Sequence, residues 1–335
     1  MSNIRIVTHS ASLLFTNEIL WPVIPHSRKA KDFAHYLTMS NIRIVTHSAS
    51  GASCKIHDFG ACLISYQTGA GRECLFVSRD AKMDGSKAIR GGVPLVFPQF
   101  GQPDKSMPQH GFLRTNYWTV DESSAFDTKE SAGITYTLQL KDAKAARGGI
   151  WDEQTMFDCT CLYHVMIDGT KLTTTLEIQN TSTKRFFFQA LLHTYYFVDG
   201  KQAMDGSKCY VKGLEGYSVI DKVSNTEYIS GSDPTTIQGE TDRVYNPPVG
   251  KDMVEVTIGV GKGKELKLTA VGTVDGKKKP VSCVVWNPYI EKARGLSDFG
   301  DDQYQEMICV EPGILGETQL EGGSVSKLTQ VVEML

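Results

Sequence analysis

The 335-residue sequence lacks most of the devices that announce a chemistry. No apolar run approaches the roughly 18 residues that a membrane-spanning helix needs. No glycine-rich loop leads into Lys-Ser or Lys-Thr, and no dinucleotide fingerprint is present, which argues against nucleotide-dependent classes. A nucleophile elbow is missing too. No two histidines have metal-ligand spacing, and the eight cysteines never form Cys-x-x-Cys. These spacings argue against a zinc site. A net charge of −3 gives no general attraction to nucleic acid or an anionic membrane. Basic and aromatic residues do not interleave as they do in nucleic-acid binders. Long helical patterns are nearly absent; Lys141–Ala146 and Glu291–Leu296 have room for a turn or two.

What is present is ordinary globular composition, 41% hydrophobic and 22% charged. Most cysteines lie in apolar, strand-like runs, so buried free thiols in a reducing, cytoplasmic compartment are expected. Residues 1–12 and 39–50 are the same twelve letters. Repeat architectures recur at least three times with drift, so this duplication is not a structural repeat. Met39 is read as the start of a single folded domain, 39–335. Residues 1–38 are read as an artefactual or poorly ordered extension, against the alternative of a targeting peptide.

Period-two alternation dominates the rest. Ile134, Tyr136, Leu138 and Leu140 form one apolar face, and Leu172, Thr174, Leu176 and Ile178 another. Cys159–Ile167, Val254–Ile258 and Leu266–Leu268 alternate likewise, predicting half-buried strands. Asp168-Gly169 marks a hairpin. Lys184–Val198 is apolar almost throughout, predicting one strand covered on both faces. Many strands and turns without helical alternation predict an all-β sandwich of large sheets.

The segment from Arg90 to Arg114 combines glycines and prolines with Gln109, His110 and two arginines around an apolar interior. A buried arginine requires an anion or a carboxylate. Two readings stand: arginines paired with internal acids, or a polar floor for an anionic ligand. His193 lies inside the most apolar strand and shares a face with Gln189 and Tyr195; it is either a satisfied core histidine or a general acid. Glu311 precedes Pro312-Gly313, so it is expected at a strand end and the mouth of the sheet. There it is either a salt-bridge partner of Arg90 or Arg114, or a general base made more basic by desolvation. Asp242 either binds sugar hydroxyls or caps a turn. Trp286 either stacks on a sugar or plugs the core.

Five segments in order carry a resemblance: Lys87-Ala-Ile-Arg-Gly-Gly-Val-Pro-Leu-Val-Phe-Pro98, Pro108-Gln-His-Gly-Phe-Leu-Arg114, Gln189-Ala-Leu-Leu-His193, Gly239-Glu-Thr-Asp-Arg-Val-Tyr245 and Cys309-Val-Glu-Pro-Gly313. From about residue 41 onward the chain resembles the hexose-6-phosphate mutarotases (glucose-6-phosphate 1-epimerases), a branch of the aldose 1-epimerase or galactose mutarotase-like superfamily. The resemblance implies a single-domain β-supersandwich without metal or cofactor, and a sugar phosphate as the small-molecule partner; a monomer is expected because no interface signature stands out in the sequence. It implies His193 as acid and Glu311 as base, on opposite sides of the sugar. It implies Arg90, Gln109, Arg114 and Asp242 as substrate ligands, the arginines near the phosphate, with His110 lining the same pocket. A mutarotase for unphosphorylated hexoses and a non-catalytic carbohydrate-binding β-sandwich are the competing readings.

Overall fold

The computed structural model describes residues 41–142 and 158–335. The extension read over 1–38 lies outside the described residues. So does most of the Lys141–Ala146 turn, of which only the 3₁₀ turn Leu140–Asp142 is described.

Two large antiparallel sheets carry the fold. One runs, in order across its width, Cys209–Lys212, Met253–Val260, Glu265–Val274, Val325–Met334, Lys171–Asn180, Cys159–Ile167, Ala132–Gln139 and Thr119–Asp127, with Lys277–Lys279 added to Glu265–Val274. The other runs Thr226–Ile229, Ser218–Asp221, Thr241–Asn246, Ser282–Asn287, Met307–Leu320, Phe186–Leu192 and Leu95–Val96, with Tyr195–Phe197 also paired to Met307–Leu320. Ile42–Thr46, Ser53–His57 and Cys62–Gln67 form a small third sheet. The expected alternating faces supply the core: Ile134, Tyr136, Tyr163, Leu176, Val256 and Leu268 are all buried. All eight cysteines are free and buried. Asp168 makes the expected hairpin, its carboxylate accepting from the backbone N–H groups of Thr170 and Lys171.

Three strand expectations need correction. Lys171–Asn180 is not half-exposed: Thr173, Thr175 and Glu177 on its other face are also buried. They are covered by polar partners on neighbouring strands, as where Thr175 and Thr329 share a hydrogen bond of 2.8 Å. Lys184–Val198 is not one strand covered on both faces. Phe187 is 54% exposed, and the ladder stops at His193 and Thr194. There the backbone turns away from its partner: His193 N–H donates to Pro94 O, and Thr194 N–H to Leu192 O. Nor does Glu311 end its strand. Met307–Leu320 continues through Pro312-Gly313. Val310 N–H points to Thr194 O, so position 312 points to the same side, where the neighbouring segment has left the ladder. A proline without an N–H is tolerated there because no rung requires one.

This break creates the site. Across the eight-stranded sheet, Asp242 lies opposite Trp286, Trp286 opposite Cys309, and Cys309 opposite Tyr195. Val244, Val284 and Glu311 form the next row on the same face. The alternate residues, Tyr245, Cys283, Val285, Ile308 and Val310, point into the core shared with the nine-stranded sheet. Thr194 also points inward, donating to Gln330 at 3.1 Å. His193 and Glu311 therefore stand on the outer face, over a second apolar cluster that includes Phe76, Leu191, Tyr195, Trp286 and Cys309.

Candidate active site

His193 and Glu311 meet across the break, with Nδ1 3.2 Å from Oε1. The contact is out of line for a hydrogen bond, and both His193 Nδ1 and Glu311 Oε2 are buried without a hydrogen-bond partner. Glu311 is 1% exposed and His193 8%. Tyr195 stacks on the imidazole at 4.9 Å, 11° from parallel, while Trp286 and His110 meet it edge-on. Burial pushes the Glu311 carboxyl well above its usual range, and neighbouring Asp242 pushes it further. Burial pulls the His193 ring well below its usual range, and His110, Arg114 and Arg90 add to that. Because each group resists its charged form alone, the pocket favours a pair that shares one proton. Two arrangements, carboxylic acid beside neutral imidazole and carboxylate beside imidazolium, contain that same proton.

The two groups are immediate neighbours rather than facing each other across an open pocket. Glu311 also pairs with neither arginine. Arg90 instead reaches buried Asp298, its Nη2 3.3 Å from both carboxylate oxygens, and Nη1 lies 3.4 Å from the Tyr195 hydroxyl. Lys87 meets the same Asp298 at 3.1 Å. Arg90 thus follows the internal-acid reading. Burial opposes its charge, and Tyr195 and Asp298 more than restore it.

Arg114 is different. Its Nη2 donates to Gln109 O at 2.8 Å, and its buried Nε lacks a partner. Among the described residues no carboxylate forms an ion pair with it. Burial, with Arg90 nearby, pulls its guanidinium down to about 10, leaving it charged at neutral pH. Gln109 contributes this carbonyl while its side chain is exposed.

The turn between Arg90 and Arg114 is held by backbone contacts that only glycine permits. Gly92 sits at φ +68, and a Cβ there would lie 2.1 Å from Leu63 O. Gly111 sits at φ +74, with Phe97 O 1.9 Å from such a Cβ. His110 adopts φ 65 beside it. Its Nδ1 accepts from Gly101 N–H at 3.2 Å, so its single ring proton lies on Nε2. Burial and the cations Arg114, Lys222 and Arg90 pull the His110 ring down to about 2, which makes it a neutral donor.

Asp242 lies 3.7 Å from Lys222 Nζ. Lys222 also caps the Phe100 ring at 4.1 Å, and Phe100 packs against His110. Sequence reading missed Asp298 and Lys222, and it placed Tyr195 on the His193 face without giving it a role. Asp298 had one usable signal, since a buried arginine demands an acid. Lys222, in a turn, had none.

Large antiparallel sheets packed face to face, with a polar pocket on the outer face of one, define a galactose mutarotase-like β-sandwich. Solved structures of that class superpose on the chain. A "putative mutarotase" from Salmonella typhimurium gives a TM-score of 0.69 at 24% identity, covering 88% of this chain and 90% of that one. A Synechocystis protein gives 0.67 at 17% identity, covering 91% and 99%.

The chain belongs to the aldose 1-epimerase family, whose model matches residues 43–332. A "Putative glucose-6-phosphate 1-epimerase" from Cenchrus ciliaris is 32% identical over 262 residues, 77% of this chain and 74% of that protein. One with the same description from Escherichia coli K12 is 29% identical over 262 residues, 78% and 79% of the two. Among the described residues no helix is long and apolar enough to cross a membrane.

Proposed function

We propose that this protein interconverts the α and β anomers of hexose 6-phosphates, chiefly glucose 6-phosphate, by acid–base ring opening and reclosure. The observation that carries the proposal is the buried His193–Glu311 pair beside an arginine that no carboxylate neutralises. The relatives' descriptions point to the same substrate class.

The chemistry follows from the shared proton. In the ion-pair form, Glu311 takes the proton of the anomeric hydroxyl while the His193 imidazolium gives its proton to the ring oxygen. The bond between the anomeric carbon and the ring oxygen breaks, and the aldehyde forms. The pair is then carboxylic acid and neutral imidazole. The carbonyl turns its other face, and reclosure returns both protons. The two reacting oxygens share one carbon, so an acid and a base standing side by side reach both. Arg114 and Arg90 hold the phosphate, since a planar guanidinium suits phosphate oxygens. Asp242 and the His110 Nε2–H take sugar hydroxyls, and the Gln109 carbonyl steadies Arg114. Trp286 and Tyr195 line the apolar side. Binding the remote phosphate keeps the reacting carbon in register.

A second reading, a mutarotase for unphosphorylated hexoses, is favoured by the pairing of Arg90 with Asp298, which leaves that cation partly spent. Anomer exchange measured by NMR magnetisation transfer separates the two. Acceleration of glucose 6-phosphate but not of glucose or galactose supports the first reading, and acceleration of all three supports the second. No acceleration by folded protein rejects both and leaves a binding module.

A further inference from the structure

Cys309 has no part in the reaction above, yet it lies in the same pocket. It stands two residues before Glu311 on one strand, so both side chains project from the same face of the sheet. Its Sγ, a ring nitrogen of His193 and a carboxylate oxygen of Glu311 all lie within 4.8 Å of one another. All three residues are more than nine-tenths buried. A buried thiol on a strand is ordinarily core filling. What separates this one is its company: His193 Nδ1 and Glu311 Oε2 are both buried and unpartnered beside it. Unpartnered buried donors and acceptors are costly and call for a ligand.

We propose that Cys309, His193 and Glu311 form a binding site for a thiophilic divalent cation, Zn²⁺ or Cd²⁺, whose occupation closes the pocket to sugar. Sulfur, nitrogen and oxygen ligands with a fourth position left open suit these ions, whereas Mg²⁺ and Ca²⁺ require oxygen shells. Bonds of about 2.0–2.3 Å at tetrahedral angles set ligand atoms about 3.3–3.7 Å apart. The His193–Glu311 pair already stands at 3.2 Å, and since no pair of ligand atoms is farther apart than 4.8 Å, a shift of about 1 Å at most completes the set. Arg90 and Arg114 oppose a cation here. Thiolate and carboxylate together supply two negative charges, and binding must release the protons they carry. The site is inhibitory, because the cation ties up both groups assigned to proton transfer. Spacing along the chain conceals it, since its ligands come from different strands and form no motif.

The test is calorimetric titration of the metal-free full-length chain with ZnCl₂, in buffers of different ionisation heat, beside MgCl₂. One-to-one binding with proton release, absent for Mg²⁺, is expected. Cys309→Ala should weaken it at least tenfold, retain basal anomer exchange, and lose inhibition by Zn²⁺. Cobalt(II) supplies a readout that needs no variant. Bound to the unaltered protein it should show thiolate-to-metal charge-transfer absorption that sugar phosphate abolishes. Absence of one-to-one binding by folded protein, binding unchanged in Cys309→Ala, or a bound-cobalt spectrum without thiolate charge transfer would each overturn the site. The binding arms read the cation directly, so they remain decisive even if the protein exchanges no anomers.

Discussion

His193 Nδ1 and Glu311 Oε1 stand 3.2 Å apart without forming a hydrogen bond, each held in a pocket that disfavours its charge. The pair acts as one group. Glu311→Gln and His193→Asn should each lower kcat for glucose 6-phosphate exchange by about 10²–10⁴-fold, the usual worth of a positioned acid or base. The double variant should be little worse than the poorer single one, because the two losses remove one shared function. Near-multiplicative losses in magnetisation-transfer rates would mean that the groups act independently.

On the proposed mechanism the same pair sets the pH dependence of turnover. His193 takes a second proton only below its depressed affinity, and Glu311 gives up the remaining one only above its raised affinity. Between those limits the proton count is constant, so kcat should hold a plateau wider than an ordinary His–Glu pair gives, with its acid limb below the usual histidine value and its alkaline limb above the usual carboxylate value. A bell with a limb near 6.5 would show His193 titrating as an ordinary histidine.

Arg114 should discriminate phosphorylated from neutral sugars more cleanly than Arg90. Loss of a charge-assisted hydrogen bond is worth about 1.5–3 kcal/mol, or roughly 10–150-fold in kcat/KM. Arg114→Met should impose that loss on glucose 6-phosphate and leave any exchange of glucose unchanged. Arg90→Met also strips Asp298 of a partner, so part of its effect should appear as lowered thermal stability. Equal losses on both sugars would remove the phosphate from Arg114.

Glu177 supplies a stability prediction far from the pocket. Burial works against its charge, but hydrogen bonds from His164, Gln179 and Lys327 outweigh it and hold the carboxyl at about 2, below the ordinary 4.5 of a free glutamate. A depressed carboxylate stabilises the fold fully above its unfolded value and ceases to do so as pH falls through its folded one. Denaturant midpoints should drop between about pH 4.5 and 2, and Glu177→Gln should flatten that part of the curve. An unchanged slope would dismiss the network as a contributor.

Gly111→Ala should destabilise by at least about 3 kcal/mol, combining the left-handed penalty with a backbone collision. Gly101→Ala is the control: it has φ +71 but nothing within 4 Å of the new carbon, so the left-handed penalty of about 1–2 kcal/mol should stand alone. Equal shifts in Tm would show that the Phe97 carbonyl moves aside freely.

Alternation made the sheets legible, because a period of two survives in any strand with one buried face. It also placed His193 on one face with Tyr195, which the stacked rings bear out. Continuous apolarity misled at Lys184–Val198, because it says nothing about a ladder that stops for tertiary reasons. Pro312-Gly313 looked like a strand end because proline's missing donor is a local fact, whereas the gap that excuses it lies on another segment. The pocket residues that went unseen, Asp298 and Lys222, sit in loops and turns where charge is unremarkable. Their roles come from what they face, and no spacing along the chain records that.

Glu311 stands opposite Val284, and Cys309 opposite Trp286, in a ladder where successive side chains alternate between core and pocket. The chemistry therefore depends on parity. Slipping this strand by one residue against its neighbours would keep every backbone rung but exchange the two faces, turning Val310 toward the pocket and Glu311 into the apolar core. The hairpins and turns that set strand register act as counters. An insertion of one residue between Asn287 and Met307 is absorbed as loop, whereas one inside Met307–Glu311 inverts the assignment of every position on its far side. Drift in this chain should accordingly collect in loop length, and the strands should change by substitution rather than by length.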